Sequence, residues 1–160
     1  MTNYQGLAKS VLKLYGLKQR VPLFVLWLLT NRCNIRCVYC NIPYRDSEDI
    51  GTDRALEILD EMAEAGTIRV GFYGGEPLVR NDIHTLGKHA KNNKMMTHLY
   101  TNGILVKKRL DAIKMCDGVF ISVDGPEALH DKYRGKGTYE KAIEAIEICS
   151  QYVPVFIMTV

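Results

Sequence analysis

The sequence predicts an α/β fold in which about five parallel strands alternate with helices. Short apolar runs suited to buried strands recur along the chain, and segments with apolar residues three and four positions apart separate them. Strands that alternate with helices pair in parallel through right-handed crossovers. With 160 residues, 47% of them hydrophobic and 24% charged, the chain is about one domain long. This composition excludes a disordered, collagenous or coiled-coil protein.

The first part of the chain predicts a leading helix, a strand, a loop and a second helix. Residues 5–17 place three apolar side chains on one helical face. The apolar run at 23–30 is too short to span a bilayer, which needs about 20 residues, so it predicts a buried strand. A helix over 53–65 follows, with Thr52 as its cap and Gly66 as its stop.

The rest of the chain predicts four more strands with helices between them. The strands are expected at 68–73, 95–101, 119–123 and 154–160. Two helices are expected to be capped by Asp82 and Thr138, and the helix between them to bury Val106, Leu110 and Ile113. His130 falls in a Gly-rich loop, where we expect a structural role.

The end of the chain bears on the domain organisation. Five strands cannot close an eight-stranded barrel, and the last predicted strand has no helix after it. We therefore expect an open partial barrel or the amino-terminal portion of a longer protein. The prediction is a leading helix or extension at 1–21 and a core at 22–160 that is incomplete at its carboxyl end.

Charge and cysteine usage narrow the class of protein further. The net charge is +3 and the pI about 8.6, which falls short of the pI above about 9 expected of a dedicated nucleic-acid module. We expect no nucleic-acid partner and no transmembrane segment. Five cysteines is an odd number, and three of them fall within eight residues, unlike a disulfide framework. Reduced thiols predict a cytoplasmic location.

Four unusual motifs each follow a predicted strand. A cysteine-bearing loop follows the first strand, Gly-Gly-Glu-Pro the second and Thr-Asn-Gly the third, and Ser-Val-Asp-Gly-Pro ends the fourth. In parallel α/β folds, the loops at the carboxyl ends of the strands hold the active site. The sequence therefore predicts a site at this edge.

Cys33, Cys37 and Cys40 form a C-x3-C-x2-C triplet. Three thiolates can each ligate one iron of a cubane cluster, which leaves the fourth iron open to a substrate or cofactor. Two alternatives remain: three buried structural cysteines on one helical face, or a structural zinc site. Zinc usually needs four closed ligands, but no second C-x-x-C pair is present. Cys116 and Cys149 are isolated, and we expect them in the core or on helix faces.

The triplet resembles the signature of the radical S-adenosylmethionine (SAM) enzymes, in which an aromatic residue commonly precedes the third cysteine, as Tyr39 does here. Gly-Gly-Glu-Pro is similar to the second motif of that family. The stretch GGEPLVR, with Thr-Asn-Gly, resembles the molybdenum-cofactor biosynthesis protein A group. Ser-Val-Asp-Gly-Pro, with the His-Asp and Arg-Gly pairs after it, resembles the sulfatase-maturing (SPASM-type) and peptide-modifying branch. The resemblance covers about 22–160.

The resemblance implies an incomplete (β/α)6 barrel and a set of site residues. It implies a 4Fe–4S cluster on the three cysteines, with SAM bound at the open iron. It places Tyr39 near the adenine and Gly75 close to the methionine moiety, with Gly74 also among the cofactor-binding residues. Glu76 would accept from the SAM amino group, and Ser122 and Arg134 would hold the ribose or carboxylate. Thr101, Asn102 and Asp124 either line the substrate cavity or serve turn chemistry.

The resemblance also implies an activity. A low-potential donor of the flavodoxin or ferredoxin type would reduce the cluster. Reductive cleavage of SAM would then give a 5′-deoxyadenosyl radical that abstracts hydrogen from an unidentified substrate, with cofactor biosynthesis or peptide modification as the setting. Because the cofactor carries the hard chemistry, we expect no general acid or base from the protein. The alternatives are a structural zinc-binding or regulatory module and an electron-transfer iron–sulfur protein.

Overall fold

A computed structural model describes residues 8, 10–18, 20–46 and 48–159. Five strands form one parallel sheet in the order β1-β2-β3-β4-β5. They are β1 (Phe24–Thr30), β2 (Arg69–Gly74), β3 (Met96–Thr101), β4 (Gly118–Ser122) and β5 (Val155–Met158). The predicted α/β class, with five parallel strands alternating with helices, is confirmed. Sequential strand order is that of a (β/α) barrel, whereas a doubly wound sheet reverses its order part-way.

Five α-helices of the described chain connect or flank these strands. They are α1 (Thr52–Ala65), α2 (Ile83–Asn92), α3 (Leu110–Met115), α4 (Glu127–Arg134) and α5 (Thr138–Ser150). Short 3-10 turns lie at Ile42–Tyr44, Pro77–Val79 and Val106–Lys108, and a π-helical turn at Leu12–Gly16. Within the described residues, no helix is both long and apolar enough to cross a membrane.

The two faces of the sheet differ in what they pack against. Side chains such as Phe72, Leu99 and Ile121 are fully buried in the core that the sheet shares with the helices. On the opposite face, the rings of Tyr100, Phe120 and Phe156 stack across β3, β4 and β5, with ring centroids 4.4 and 4.8 Å apart. Because side chains alternate along a strand, every second residue lies on this face, including those at the carboxyl ends of the strands.

The start of α1 differs from the prediction by one residue. Gly51 is the N-cap, and Thr52 is the first helical residue, without a capping side chain. The Thr52 hydroxyl instead donates to Asp82 Oδ2 at 2.8 Å. Asp82 is the N-cap of α2 by position, but its carboxylate binds Arg80 rather than the helix N–H groups. The predicted stop is confirmed, since Gly66 is the left-handed C-cap of α1 with φ at 104°.

The cap of α5 comes from a residue outside that helix. Thr138 is its first residue, after Gly137 as N-cap, and the Thr138 hydroxyl donates to a carbonyl of the preceding turn. Asp131 accepts from the N–H groups of Gly137 and Tyr139. These hydrogen bonds lower the pKa of the Asp131 carboxyl. A side chain seven residues before the helix therefore does the work that the sequence assigned to Thr138.

Other boundaries also differ from expectation. The predicted loop around His130 is the helix α4, and the helix predicted across Val106 and Ile113 is divided into a 3-10 turn and α3. The predicted leading helix at 5–17 is described only in part, and its first residues lie outside the described residues. Strand β5 ends at Met158.

Candidate functional site

A cavity of about 210 Å³ opens at the carboxyl ends of the strands. All but two of the site residues predicted from the sequence line it. They are Cys33, Cys37, Tyr39, Cys40, Gly74, Gly75, Thr101, Asn102, Ser122 and Arg134. The two exceptions, Glu76 and Asp124, are each hydrogen-bonded to groups that line the cavity. The fold therefore brings the motifs of four separate strand ends to one place.

The three cysteines of the triplet are free and partly buried on the loop after β1. Burial raises the pKa of the Cys33 and Cys37 thiols. Thiols with raised pKa values are protonated in the metal-free chain at neutral pH. Coordination would release those protons, as thiolate ligation requires.

Gly74 and Gly75 let the start of the cysteine loop pack against β2. A Cβ at Gly74 would lie 2.3 Å from the Thr30 carbonyl oxygen, and one at Gly75 would lie 2.2 Å from that of Arg32. The Gly75 N–H donates to Thr30 O, and the Glu76 N–H to Arg32 O, both at 2.8 Å. The backbone at Thr30 and Arg32 therefore lies so close to Gly74 and Gly75 that no larger residue would fit there. This requirement holds whether or not a ligand also approaches the glycines.

Glu76 is completely buried, and its carboxylate is surrounded by donors. It accepts from the Leu78 N–H, from the Thr101 hydroxyl and, at 2.7 Å, from the Asn102 N–H. Burial raises the pKa of this carboxyl to about 7, although the hydrogen bonds oppose that change. In this geometry Glu76 holds the Thr-Asn-Gly motif against the Gly-Gly-Glu motif.

Thr101 and Asn102 combine the two roles left open by the sequence. The Thr101 hydroxyl accepts from Gly103 N–H, and Asn102 Oδ1 accepts from Ile104 N–H, as in strand-to-helix turns. The other end of the Asn102 amide faces the cysteine loop, where Nδ2 donates to Asn34 Oδ1 at 2.8 Å and lies 3.9 Å from Cys33 Sγ. Turn formation and a place in the cavity wall therefore coexist.

Asp124 lies between the cysteine loop and α4. Its carboxylate accepts from the Tyr39 hydroxyl at 2.6 Å. It also pairs in bidentate fashion with Arg134, whose Nε and Nη2 donate at 2.6 and 3.0 Å. Asp124 and Arg134 are both 8% exposed. Burial and the hydrogen bond to Asp124 raise the pKa of the Tyr39 hydroxyl. We name Asp124, Tyr39 and Arg134 the Asp124 cluster.

The donor set bears on which metal group the site could hold. Among the described residues that line the cavity there is no histidine and no fourth cysteine. Cys116 and Cys149 lie in the hydrophobic core, as predicted. No group of three His, Cys, Asp or Glu side chains in the described chain is preformed around a single ion. Three thiols on one cavity wall suit a cluster that needs three cysteine corners, whereas closed zinc sites take four ligands.

Several residues of the site were missed in the sequence. Tyr73, Tyr100 and Met158 line the cavity from the ends of β2, β3 and β5. The period-two alternation along each strand places them on the inner face, and it could have identified them. Helix α4 was missed because its apolar pattern is weak. Pro126 before it, with Glu127 in its first turn and Arg134 in its last, was the available signal.

The family is decided by comparison with known sequences. The sequence model of the Radical SAM superfamily matches residues 27–160, which include the cysteine triplet, the end of β1 and all of the other four strands. The chain belongs to the radical SAM superfamily. Membership implies the use of SAM and an iron–sulfur cluster, and the triplet that lines the cavity has the donors for the latter.

Two curated relatives support membership of the radical SAM superfamily. The chain is 32% identical over 142 residues to Fe-coproporphyrin III synthase of Methanosarcina barkeri, with 84% of this chain and 35% of that protein covered. It is 36% identical over 133 residues to PqqA peptide cyclase of Bradyrhizobium diazoefficiens, with 78% and 35% covered. The chain thus spans about a third of the length of these relatives.

Solved structures of other proteins share the fold. The crystal structure of Streptococcus suis SuiB bound to the precursor peptide SuiA aligns with a TM-score of 0.75 at 21% identity, covering 97% of this chain and 37% of that chain. SuiB bound to S-adenosylmethionine aligns with a TM-score of 0.73 at 20% identity, covering 97% and 36%. At this identity the likeness shows the fold alone.

Proposed function

We propose that this chain forms the SAM- and cluster-binding core of an enzyme that abstracts hydrogen from its substrate by radical chemistry. The observation that carries the proposal is the cavity on which the cysteine triplet meets the motifs of β2, β3 and β4. Superfamily membership supports it. We propose a 4Fe–4S cluster because three cysteines leave one iron of a cubane open.

Each wall of the cavity has a separate task in this proposal. Cys33, Cys37 and Cys40 hold three corners of the cluster. Arg134 and Ser122 both line the cavity. The Arg134 guanidinium binds Asp124 through Nε and Nη2, which leaves the Nη1 donor for a carboxylate. When bound, the cluster and SAM supply reductive cleavage of the C5′–S bond and the 5′-deoxyadenosyl radical that abstracts hydrogen from the substrate.

The role of Glu76 toward SAM is proposed in a modified form. Its two oxygens already accept from three protein groups, and a carboxylate offers about four acceptor sites. We propose that Glu76 acts on the cavity chiefly by holding Thr101 and Asn102 in place. Direct acceptance from the SAM amino group stays a prediction from the resemblance.

The substrate class is proposed from the relatives. One is named a peptide cyclase and another a coproporphyrin synthase, and SuiB is crystallised with a precursor peptide. We therefore propose peptide modification or cofactor biosynthesis for the whole protein. A low-potential donor of the flavodoxin or ferredoxin type is proposed as the reductant. The cytoplasmic location stays a prediction.

The test is anaerobic reconstitution with iron and sulfide, followed by metal analysis and a SAM cleavage assay under dithionite. We expect about four irons per chain and release of 5′-deoxyadenosine. Cys37→Ala should abolish both, whereas Cys149→Ala, which removes a core thiol, should keep both. Stoichiometric zinc without iron, or a full cluster in Cys37→Ala, would contradict the proposal.

A further inference from the structure

The second half of the cysteine loop is held in place by Asp124 and by helix α4. The Tyr39 hydroxyl, on the residue before Cys40, donates to the Asp124 carboxylate across 85 positions of sequence. One residue earlier, the Val38 N–H donates to the Tyr133 carbonyl of α4 at 2.8 Å. The rings of Tyr39 and Tyr133 lie 6.3 Å apart. Asp124, just after β4, and helix α4 therefore fix the segment that carries Cys37 and Cys40.

Asp124 is itself held in place by its neighbours. Its own N–H donates to Nδ1 of the buried His130 at 3.1 Å, so the other ring nitrogen carries the proton. His130 sits edge-on to Tyr139, with ring centroids 5.7 Å apart. Burial, with the nearby Arg134 charge, lowers the pKa of His130, which keeps Nδ1 available as an acceptor. The Asp124 backbone is thus fixed by the same helix that carries Arg134.

The charge of Asp124 also fixes the cavity-lining arginine. Both carboxylate oxygens are bound to Arg134, and the guanidinium lies 5.7 Å from the centre of the Tyr39 ring. A buried guanidinium that lost its carboxylate would be free to take other rotamers or would be left unpaired at considerable cost. One carboxylate therefore serves both the cysteine loop and the cation of the cavity.

We propose that Asp124 is a positioning residue that couples the cysteine loop to Arg134. Through the hydroxyl of Tyr39, Asp124 holds the segment that carries Cys37 and Cys40. Through its paired hydrogen bonds, it holds Arg134 at the cavity wall. The assignment rests on the proposed function, since it treats the triplet as the cluster ligands. We propose this role in place of the two that the sequence left open for Asp124, a place in the substrate cavity or turn chemistry.

Two variants separate the halves of this role. Tyr39→Phe removes the hydroxyl and keeps the ring, so it should loosen only the loop. Asp124→Asn should loosen the loop and also release Arg134. Tyr44→Phe is the matched control. It removes a hydroxyl from the same loop, on a side chain that is 68% exposed.

The first measurement is amide hydrogen exchange of the apoprotein over residues 36–41. One lost hydrogen bond is worth about 0.5–1.5 kcal/mol, so Tyr39→Phe should raise exchange there by roughly two- to tenfold. The second is iron release from the reconstituted protein to a chelator, which should accelerate in the same order of variants. Urea unfolding should show Tyr39→Phe less stable than Tyr44→Phe by about the same amount, because one native hydrogen bond is lost while the rest of the fold is unchanged.

The third measurement is the change that SAM causes in the EPR spectrum of the reduced cluster. Asp124→Asn should lose much more of this change than Tyr39→Phe does, because only Asp124→Asn releases Arg134. Equal exchange and iron release in Tyr39→Phe and Tyr44→Phe would overturn the proposal, even if Asp124→Asn failed to fold. Because exchange is measured without a cluster, failure of the proposed function would leave that result readable.

Discussion

Gly75→Ala tests how closely the cysteine loop packs on the Gly-Gly-Glu motif. The new Cβ would lie 2.2 Å from the Arg32 carbonyl oxygen and 2.8 Å from that of Asn31. Both are backbone atoms, so relief requires the loop to move by about 1 Å. That movement pulls the Arg32 carbonyl away from the Glu76 N–H, 2.8 Å from it now.

The expected cost of Gly75→Ala follows from these two losses. Overpacking of this kind costs about 1–3 kcal/mol, and the weakened hydrogen bond adds about 0.5–1.5 kcal/mol. The free energy of unfolding should therefore fall by about 1.5–4.5 kcal/mol, a large part of the 5–15 kcal/mol typical of a domain. Urea unfolding of the apoprotein measures it. Iron incorporation should fall as well, since Cys33 follows the displaced carbonyl.

Gly51→Ala is the matched control for Gly75→Ala. A Cβ at Gly51 meets no atom within 4 Å, and the backbone there has an ordinary φ of −64°. Loss of a preferred N-cap residue should cost less than about 1 kcal/mol, with iron incorporation unchanged. If Gly75→Ala were as stable as Gly51→Ala, the close packing of the loop on β2 would be refuted.

Two further predictions concern buried groups. Burial raises the pKa of Glu76 from 4.5 to about 7, so its contribution to stability is full below pH 4.5 and is lost as pH rises through 7. Between pH 4.5 and 7 the free energy of unfolding of wild type should fall by roughly 3 kcal/mol relative to Glu76→Gln. Urea unfolding at each pH measures this difference, and the same pH dependence in both proteins would contradict the prediction. Burial also raises the pKa values of Cys116 and Cys149 to about 12 and 11. In the native apoprotein, a disulfide thiol reagent should therefore modify only the cysteines of the triplet. Cys116 and Cys149 should react only after unfolding, and their rapid reaction in the folded state would show that they lie outside the core.

The sequence predicted the elements better than their ends. Strand positions follow from apolar runs, and all five appear close to the expected ranges. The caps were predicted from local propensity at Thr52 and Thr138, but glycines precede both helices, and the side chain that caps α5 is Asp131. Such a cap depends on how a preceding turn folds back, which local propensity does not contain.

The sequence also predicted which residues gather at the site. It did not distinguish the residues that line the cavity from those that hold them in place. Motif position placed Glu76 and Asp124 beside the ligand, because each lies at a strand end with residues that do line the cavity. Whether a carboxylate faces the cavity or the protein depends on the donors around it. Those donors come from Asn102 and Tyr39, far away in sequence, so no local pattern predicts them.

These long-range supports explain how a loop with little regular structure can present three thiols to one cavity. Its beginning is fastened to β2 through the Arg32 carbonyl, its first cysteine lies against Asn102, and its end is fastened through Tyr39 to Asp124. These ties join the loop to the ends of β2, β3 and β4 in turn. The thiols therefore take their places only when four strands are paired, so a destabilised sheet should lose cluster binding before it loses its helices.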